Sequence, residues 1–119
     1  MPSVDVTGMP FAKLYPLLVH KAVRKGRTRQ EVDQVTAWLT GYTPEQLARL
    51  EETDISYAEF FRKAPAMNPN RVRITGVVCG VRVEKIEDPL MREIRYLDKL
   101  VDELAKGKPL EKVLWEDEG

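Results

Sequence analysis

The chain has 119 residues, of which 43% are hydrophobic and 32% charged, with 19 basic against 19 acidic side chains. Such a chain can bury one core but not two, and its charge content is that of an ordinary globular domain rather than a disordered one. A formal net charge of zero removes any global case for nucleic acid or for a membrane surface.

One domain over residues 1–119 is therefore expected, with its ends, 1–8 and 116–119, frayed. Cys79 is the single cysteine, so no intramolecular disulfide can form. The first seven residues carry no basic stretch leading into an apolar run, and no apolar segment approaches the roughly 18 residues that span a bilayer. A cytoplasmic protein with no membrane partner is expected.

Taken in chain order, Phe11, Leu14, Tyr15, Leu18, Val19 and Ala22 recur at spacings of three and four, which predicts a helix with one buried stripe and a stop at Gly26. Pro16 lacks the N–H that would bond the carbonyl of Ala12, so this helix either kinks at Pro16 or begins there. Thr28 with Glu31 reads as a capping box that opens a second helix, with Val32, Val35, Trp38 and Leu39 on one face and Gly41 at its end. Thr43, Pro44 and Gln46 repeat that pattern for a short helix with Leu47 and Leu50 inward. Ser56 and Glu59 repeat it again for a helix presenting Tyr57, Phe60 and Phe61, which must end near Pro65.

The segment Asn68 to Ile86 fits two patterns. Ile74, Val77, Val78 and Val81 make a helical stripe, while Val72/Ile74 and Val81/Val83 alternate as strands do. Asn68 and Pro69 favour a helix start, whereas Gly76 and Gly80 each cost about 1 kcal/mol in a helix interior and the valines lean towards strand. A helix is preferred, because a lone hairpin is marginal without a third strand. Gly76 and Gly80, one turn apart, would then let another helix approach closely.

Asp88 and Pro89 open the clearest helix, with Leu90, Ile94, Leu97, Val101 and Leu104 along one face and Gly107 at the end. Asp102 with Lys106, and Lys99 with Glu103, give its outer face the spacing of a solvated, self-paired surface. Pro109 then starts a last short helix carrying Leu110, Val113, Leu114 and Trp115. The fold class expected is all-α, a compact orthogonal bundle of about five to six short helices. The alternative is α+β, with a β-hairpin within residues 71–84.

Chemistry-bearing clusters are sparse. His20 is the only histidine, which removes most zinc sites and any imidazole pair; it falls beside the buried stripe among Lys21, Arg24 and Lys25, as a surface residue does. Cys79 lies between Val78 and Gly80 in an apolar stretch and reads as a small packing residue. Glu84, Glu87 and Asp88 lack the alternating spacing of a calcium loop, and Asp88 is already used as a cap. No phosphate-binding glycine loop is present. Neither a metal nor a cofactor is expected, and no catalytic residue is assigned.

Two surfaces stand out. Lys21, Arg24, Lys25, Arg27 and Arg29 bring five positive charges to the turn between the first two helices, with no acid until Glu31. They are candidate phosphate contacts for nucleic acid, in the manner of a helix-turn-helix. Against that, Glu31 and Asp33 occupy the turns where base-reading residues belong, so nucleic acid is not favoured. The second surface joins Arg82 and Glu84 to Arg92, Arg95, Tyr96 and Asp98 on the long helix, as a polar cluster for a ligand or partner.

The runs "KGRT", "EVD" and "WLTGY", then "NPN", "GVVCGVRVE", "IEDPLM" and "IRYLDKLVDELAKGK", resemble a bacterial family of uncharacterised proteins, domain of unknown function 2200. The resemblance runs from about Phe11 to Leu114. It implies a single small helical domain and brings no activity and no site residues with it. The leading expectation for function is a binding or protein-interaction module that associates with itself, through Trp115 and the apolar side of the last helix. A nucleic-acid-binding protein using residues 21–29 is one alternative. A small enzyme or ligand binder with a polar pocket near Arg82 and Arg95 is the other.

Overall fold

In the computed structural model of the chain, which describes residues 6–78 and 80–114, each cap residue starts a helix, and one of those helices is far shorter than its periodicity predicts. Thr28 and Thr43 form full capping boxes with Glu31 and Gln46, opening α2 (Arg29–Thr40) and α3 (Pro44–Leu50). Ser56 accepts from the Glu59 amide at 3.1 Å to open α4 (Tyr57–Arg62). The reciprocal half of that third box is missing, because Glu59 turns to Arg62 and Lys63, each 3.6 Å away. The first helix, α1 (Phe11–Val23), starts at Phe11 and runs through Pro16, which is exposed.

The end of α2 depends on Gly41. Its φ is +83°, a conformation glycine adopts without a Cβ clash. A Cβ there would also lie 2.8 Å from the Ala66 amide nitrogen, so glycine is required by both backbone angle and space. That close approach lets the Ala66 amide donate to Thr40 and the Asn68 amide to Leu39.

Residues 68–86 correct the expected helix. Asn68 does cap, through Oδ1 to the Asn70 amide at 2.9 Å, but it opens only a single 3₁₀ stretch, Pro69–Arg73. Then β1 (Val77–Val78) and β2 (Val81–Arg82) pair antiparallel, Val78 opposite Val81, and a 3₁₀ turn, Val83–Lys85, closes the segment. Gly76 and Gly80, at φ +113° and +79°, hold the left-handed values that an α-helix excludes. The third strand that a small hairpin needs is replaced by a helix: Ile74, Val78 and Val83 are buried in the core beside Leu97, Leu100 and Val101.

That helix is α5 (Pro89–Ala105), capped by Asp88 Oδ1 on the Leu90 amide at 3.0 Å. It runs through the middle of the molecule, against α1, α2, α4, the hairpin and the short α6 (Leu110–Val113). Its polar face is therefore not the open, solvated surface expected: Tyr96 and Lys99 are buried. The other half of the core is aromatic. Phe60 stacks on Phe11 at 4.2 Å and on Tyr42 at 4.9 Å, and Phe11 on Tyr15 at 4.9 Å.

Val6–Gly8, expected to fray, form a 3₁₀ turn packed against α4. The bond from the Tyr57 amide to Met9 (2.8 Å), with that from Phe11 to Ile55 (2.9 Å), fastens the start of α1 to the start of α4. Among the described residues no helix is long and apolar enough to cross a membrane.

Candidate functional site

The polar surface expected from Arg82, Glu84, Arg92, Arg95, Tyr96 and Asp98 is split three ways. Successive residues of a helix are about 100° apart, which sends Arg95 and Asp98 to one side of α5 and Arg92 and Tyr96 to another. Arg95 pairs with Asp98 at 2.9 Å, and on that side Asp102 receives Lys21 at 3.2 Å and Lys106 at 3.0 Å. Arg92 instead donates to the Ile86 carbonyl at 2.8 Å, next to Glu93, whose two carboxylate oxygens take Arg71 Nε at 2.9 and 3.1 Å. Arg82, exposed on the hairpin, pairs with Glu84 at 3.2 Å, and Glu84 also accepts from the Gly76 amide. These six residues do not line one pocket.

The basic turn is also divided. Lys21 is held by Asp102, and Arg27 pairs with Glu31 one turn along. Arg29 lies between Asp33 and Glu51 and over the Tyr15 ring, 5.8 Å from its centroid. Tyr15, buried, donates to Asp33 at 2.6 Å and also meets Thr36 at 3.1 Å. Arg29 thus belongs to a polar network that ties α1, α2 and α3 together. Arg24 and Lys25 alone of the five are left without an ion pair among the described residues.

His20 is exposed, and among the described residues no group of three His, Cys, Asp or Glu side chains is placed to hold a metal ion. Cys79 and Trp115 lie outside the described residues. The apolar side of α6 faces inward, with Val113 buried and Leu110 and Leu114 packed on the core, so it is occupied within the chain.

Two concavities were not anticipated from the sequence. The first, about 210 Å³, is an apolar groove between α1 and α5, floored by Leu14, Leu18, Tyr57 and Ile94 with Arg95 and Asp98 on its edge. Leu17 belongs to its wall and is 63% exposed. The second, about 230 Å³, lies under the C-terminal half of α5 and is lined by Thr75, Lys99, Leu100, Glu103, Lys108, Lys112 and Val113. Lys99, 9% exposed, bonds Glu103 at 2.8 Å and the Val77 carbonyl at 3.3 Å. Lys108 meets the same carboxylate at 2.6 Å. Lysines 99, 108 and 112 and the helix α6 are legible in the sequence, and the hairpin only as an alternative; that these elements close a cavity around the lysines is not.

Electrostatics follow from this burial. Burial opposes charge on Asp102 and Glu103, yet their paired lysines outweigh it and hold both carboxyls below the ordinary value. Glu31 is lowered chiefly by its bond from Arg27. Asp98 goes the other way, because burial exceeds the help from Arg95 and raises it. A carboxyl lowered by folding contributes stability above its unfolded value and loses it as pH falls through the folded one; a raised carboxyl relieves a cost on acidification. With Glu84, lowered by backbone hydrogen bonds that include the Gly76 amide, four lowered carboxyls against one raised predict net destabilisation below about pH 4, where unfolded carboxyls titrate. Thermal unfolding followed by circular dichroism at decreasing pH is expected to show a falling midpoint, less steep in Glu103→Gln. A midpoint that is flat or rises would contradict this electrostatic account.

The profile of a family described as "Uncharacterized protein conserved in bacteria (DUF2200)" matches residues 5–115. The chain belongs to that family. The crystal structure of the uncharacterized protein SP1917 superposes on this member with a TM-score of 0.93 at 47% sequence identity, over 99% of this chain and 100% of that one. No curated protein matches the sequence.

Proposed function

We propose that this DUF2200 member is a cytoplasmic binding and interaction module that works as a self-associated pair, with the groove between α1 and α5 as the contact. The observation that carries this reading is Leu17, a large apolar side chain 63% exposed at the wall of an apolar groove. Contiguous apolar surface edged by polar groups is a feature of interaction sites. The edge supports a second copy as the occupant: in a two-fold contact the same patch faces itself, and the paired Arg95 and Asp98 bring no net charge against their own image. Leu17 of one copy then enters the groove of the other.

The nucleic-acid reading has less support, since Arg27 and Arg29 are held by carboxylates. A pocket at Arg82 and Arg95 has less again, since those residues face different ways. The cytoplasmic location is supported by the lone cysteine.

A groove this small predicts weak association, with a Kd on the order of 10–100 μM. Light scattering over a dilution series is expected to show mass rising towards a dimer with concentration, and Leu17→Glu to remain monomeric throughout. A parent chain that stays monomeric across the series sinks the reading. So does a Leu17→Glu variant that dimerises as the parent does.

A further inference from the structure

We infer that the lysine cavity under α5 is a binding site for the phosphate group of a small phosphomonoester. Three lysines, Lys99, Lys108 and Lys112, line the cavity with one carboxylate residue, Glu103, so the lining carries an excess of positive charge. Glu103 is shared between Lys99 and Lys108. Lys112 has no ion pair among the described residues, and Lys99 makes two bonds where an ammonium has three donors. Thr75, a residue with a neutral hydroxyl donor, belongs to the same lining.

An ordinary structural role, cations neutralising the carbonyls at the end of α5, accounts for Lys106 and Lys108 but not for Lys99. That effect fades within the last turn of a helix, and Lys99 lies further than one turn inside α5, which ends at Ala105. It is buried where the hairpin meets the helix: a Cβ at Gly76 would come within 3.1 Å of Lys99 Cε.

The lining chooses the class of anion. Lysines lack the planar fork by which arginine grips carboxylate or phosphate; they bind phosphate as compact point charges, and a phosphate's greater charge gives it the advantage over a carboxylate among several of them. Leu100 and Val113 provide an apolar wall for an organic remainder. A volume of about 230 Å³ is below the range usual for drug-sized ligands, which points to a compact ester and excludes a polymer. The cavity opens on a different side of α5 from the groove with Leu17, so either proposal can fail without the other.

Titration of the full chain at constant ionic strength, followed by amide and lysine NMR shifts, tests this with two probes, inorganic phosphate and phenyl phosphate. Both are expected to saturate at one site, moving Thr75, Lys99, Lys108 and Lys112, with phenyl phosphate the tighter. Lys112→Ala, an exposed change that leaves the fold intact, is expected to weaken binding about tenfold. Lys108→Ala should weaken it comparably, and Lys13→Ala, on α1, should leave it unchanged. Shifts that never saturate, or that sodium chloride reproduces, overturn the site. Equal losses in Lys13→Ala and Lys112→Ala overturn it as well. Inorganic phosphate binding as tightly as phenyl phosphate overturns the assignment to an ester.

Discussion

Phe60→Ala is expected to lower the free energy of unfolding by about 3–5 kcal/mol, the range for removing a large buried aromatic ring. Phe60 is fully buried and stands at the centre of the aromatic cluster, 4.2 Å from Phe11, 4.9 Å from Tyr42 and 5.0 Å from Phe61. The cavity cannot close easily, because rings from several parts of the chain would have to move together. A helix of only six residues also has little stability of its own, and Phe60 makes the tightest ring contact between α4 and α1, 4.2 Å to Phe11 against 6.5 Å for Tyr57. The bond from the Tyr42 hydroxyl to the Phe60 carbonyl, at 2.7 Å, depends on the same placement. A domain of this size has about 5–15 kcal/mol in total, so the loss is a large share of it. Urea unfolding measures it directly, with Val72→Ala, 65% exposed, as a surface control expected to stay within about 0.5 kcal/mol. A Phe60→Ala loss below about 1.5 kcal/mol would show that the cluster is packed far less tightly than its ring distances imply.

Helix starts are the most legible part of the fold, because a cap is a local event. Thr28, Thr43, Asn68 and Asp88 each accept from an amide two or three residues on, whatever the rest of the chain does. How far an element runs is decided by tertiary contacts. Asn68 caps as expected, yet the valines beyond it are taken by the hairpin, because α5 offers them a surface to pack on. The same long-range packing hides the candidate sites. Arg29, a free cation on a turn by its local sequence, is drawn to Glu51 across 22 positions of the chain. Arg82 and Arg95, grouped by the polar pattern, bond different carboxylates on different elements. Lys99 and Glu103 do pair at the expected spacing. Nothing local reveals that a hairpin would bury that pair.

That burial makes Lys99→Met the second large effect expected, a loss of about 2–4 kcal/mol. Removing one member of a buried pair costs more than the pair itself contributes, because the partner charge is left without compensation in a poorly solvated place. Here Glu103 keeps Lys108 at 2.6 Å, which holds the loss towards the lower end. The hairpin adds to it, since the Val77 carbonyl gives up its bond from Lys99. Hydrogen exchange at the Val83 amide, bonded to Gly76 at 2.9 Å, is expected to quicken in the variant. Adding Glu103→Leu separates the two contributions. If the orphaned carboxylate dominates, Lys99→Met/Glu103→Leu recovers most of the stability, because two apolar side chains replace the ion pair and exposed Lys108 loses little by being left alone. If the double variant is no more stable than the single one, the cost lies in the hairpin, and Lys99 acts chiefly as the donor that holds β1 against α5.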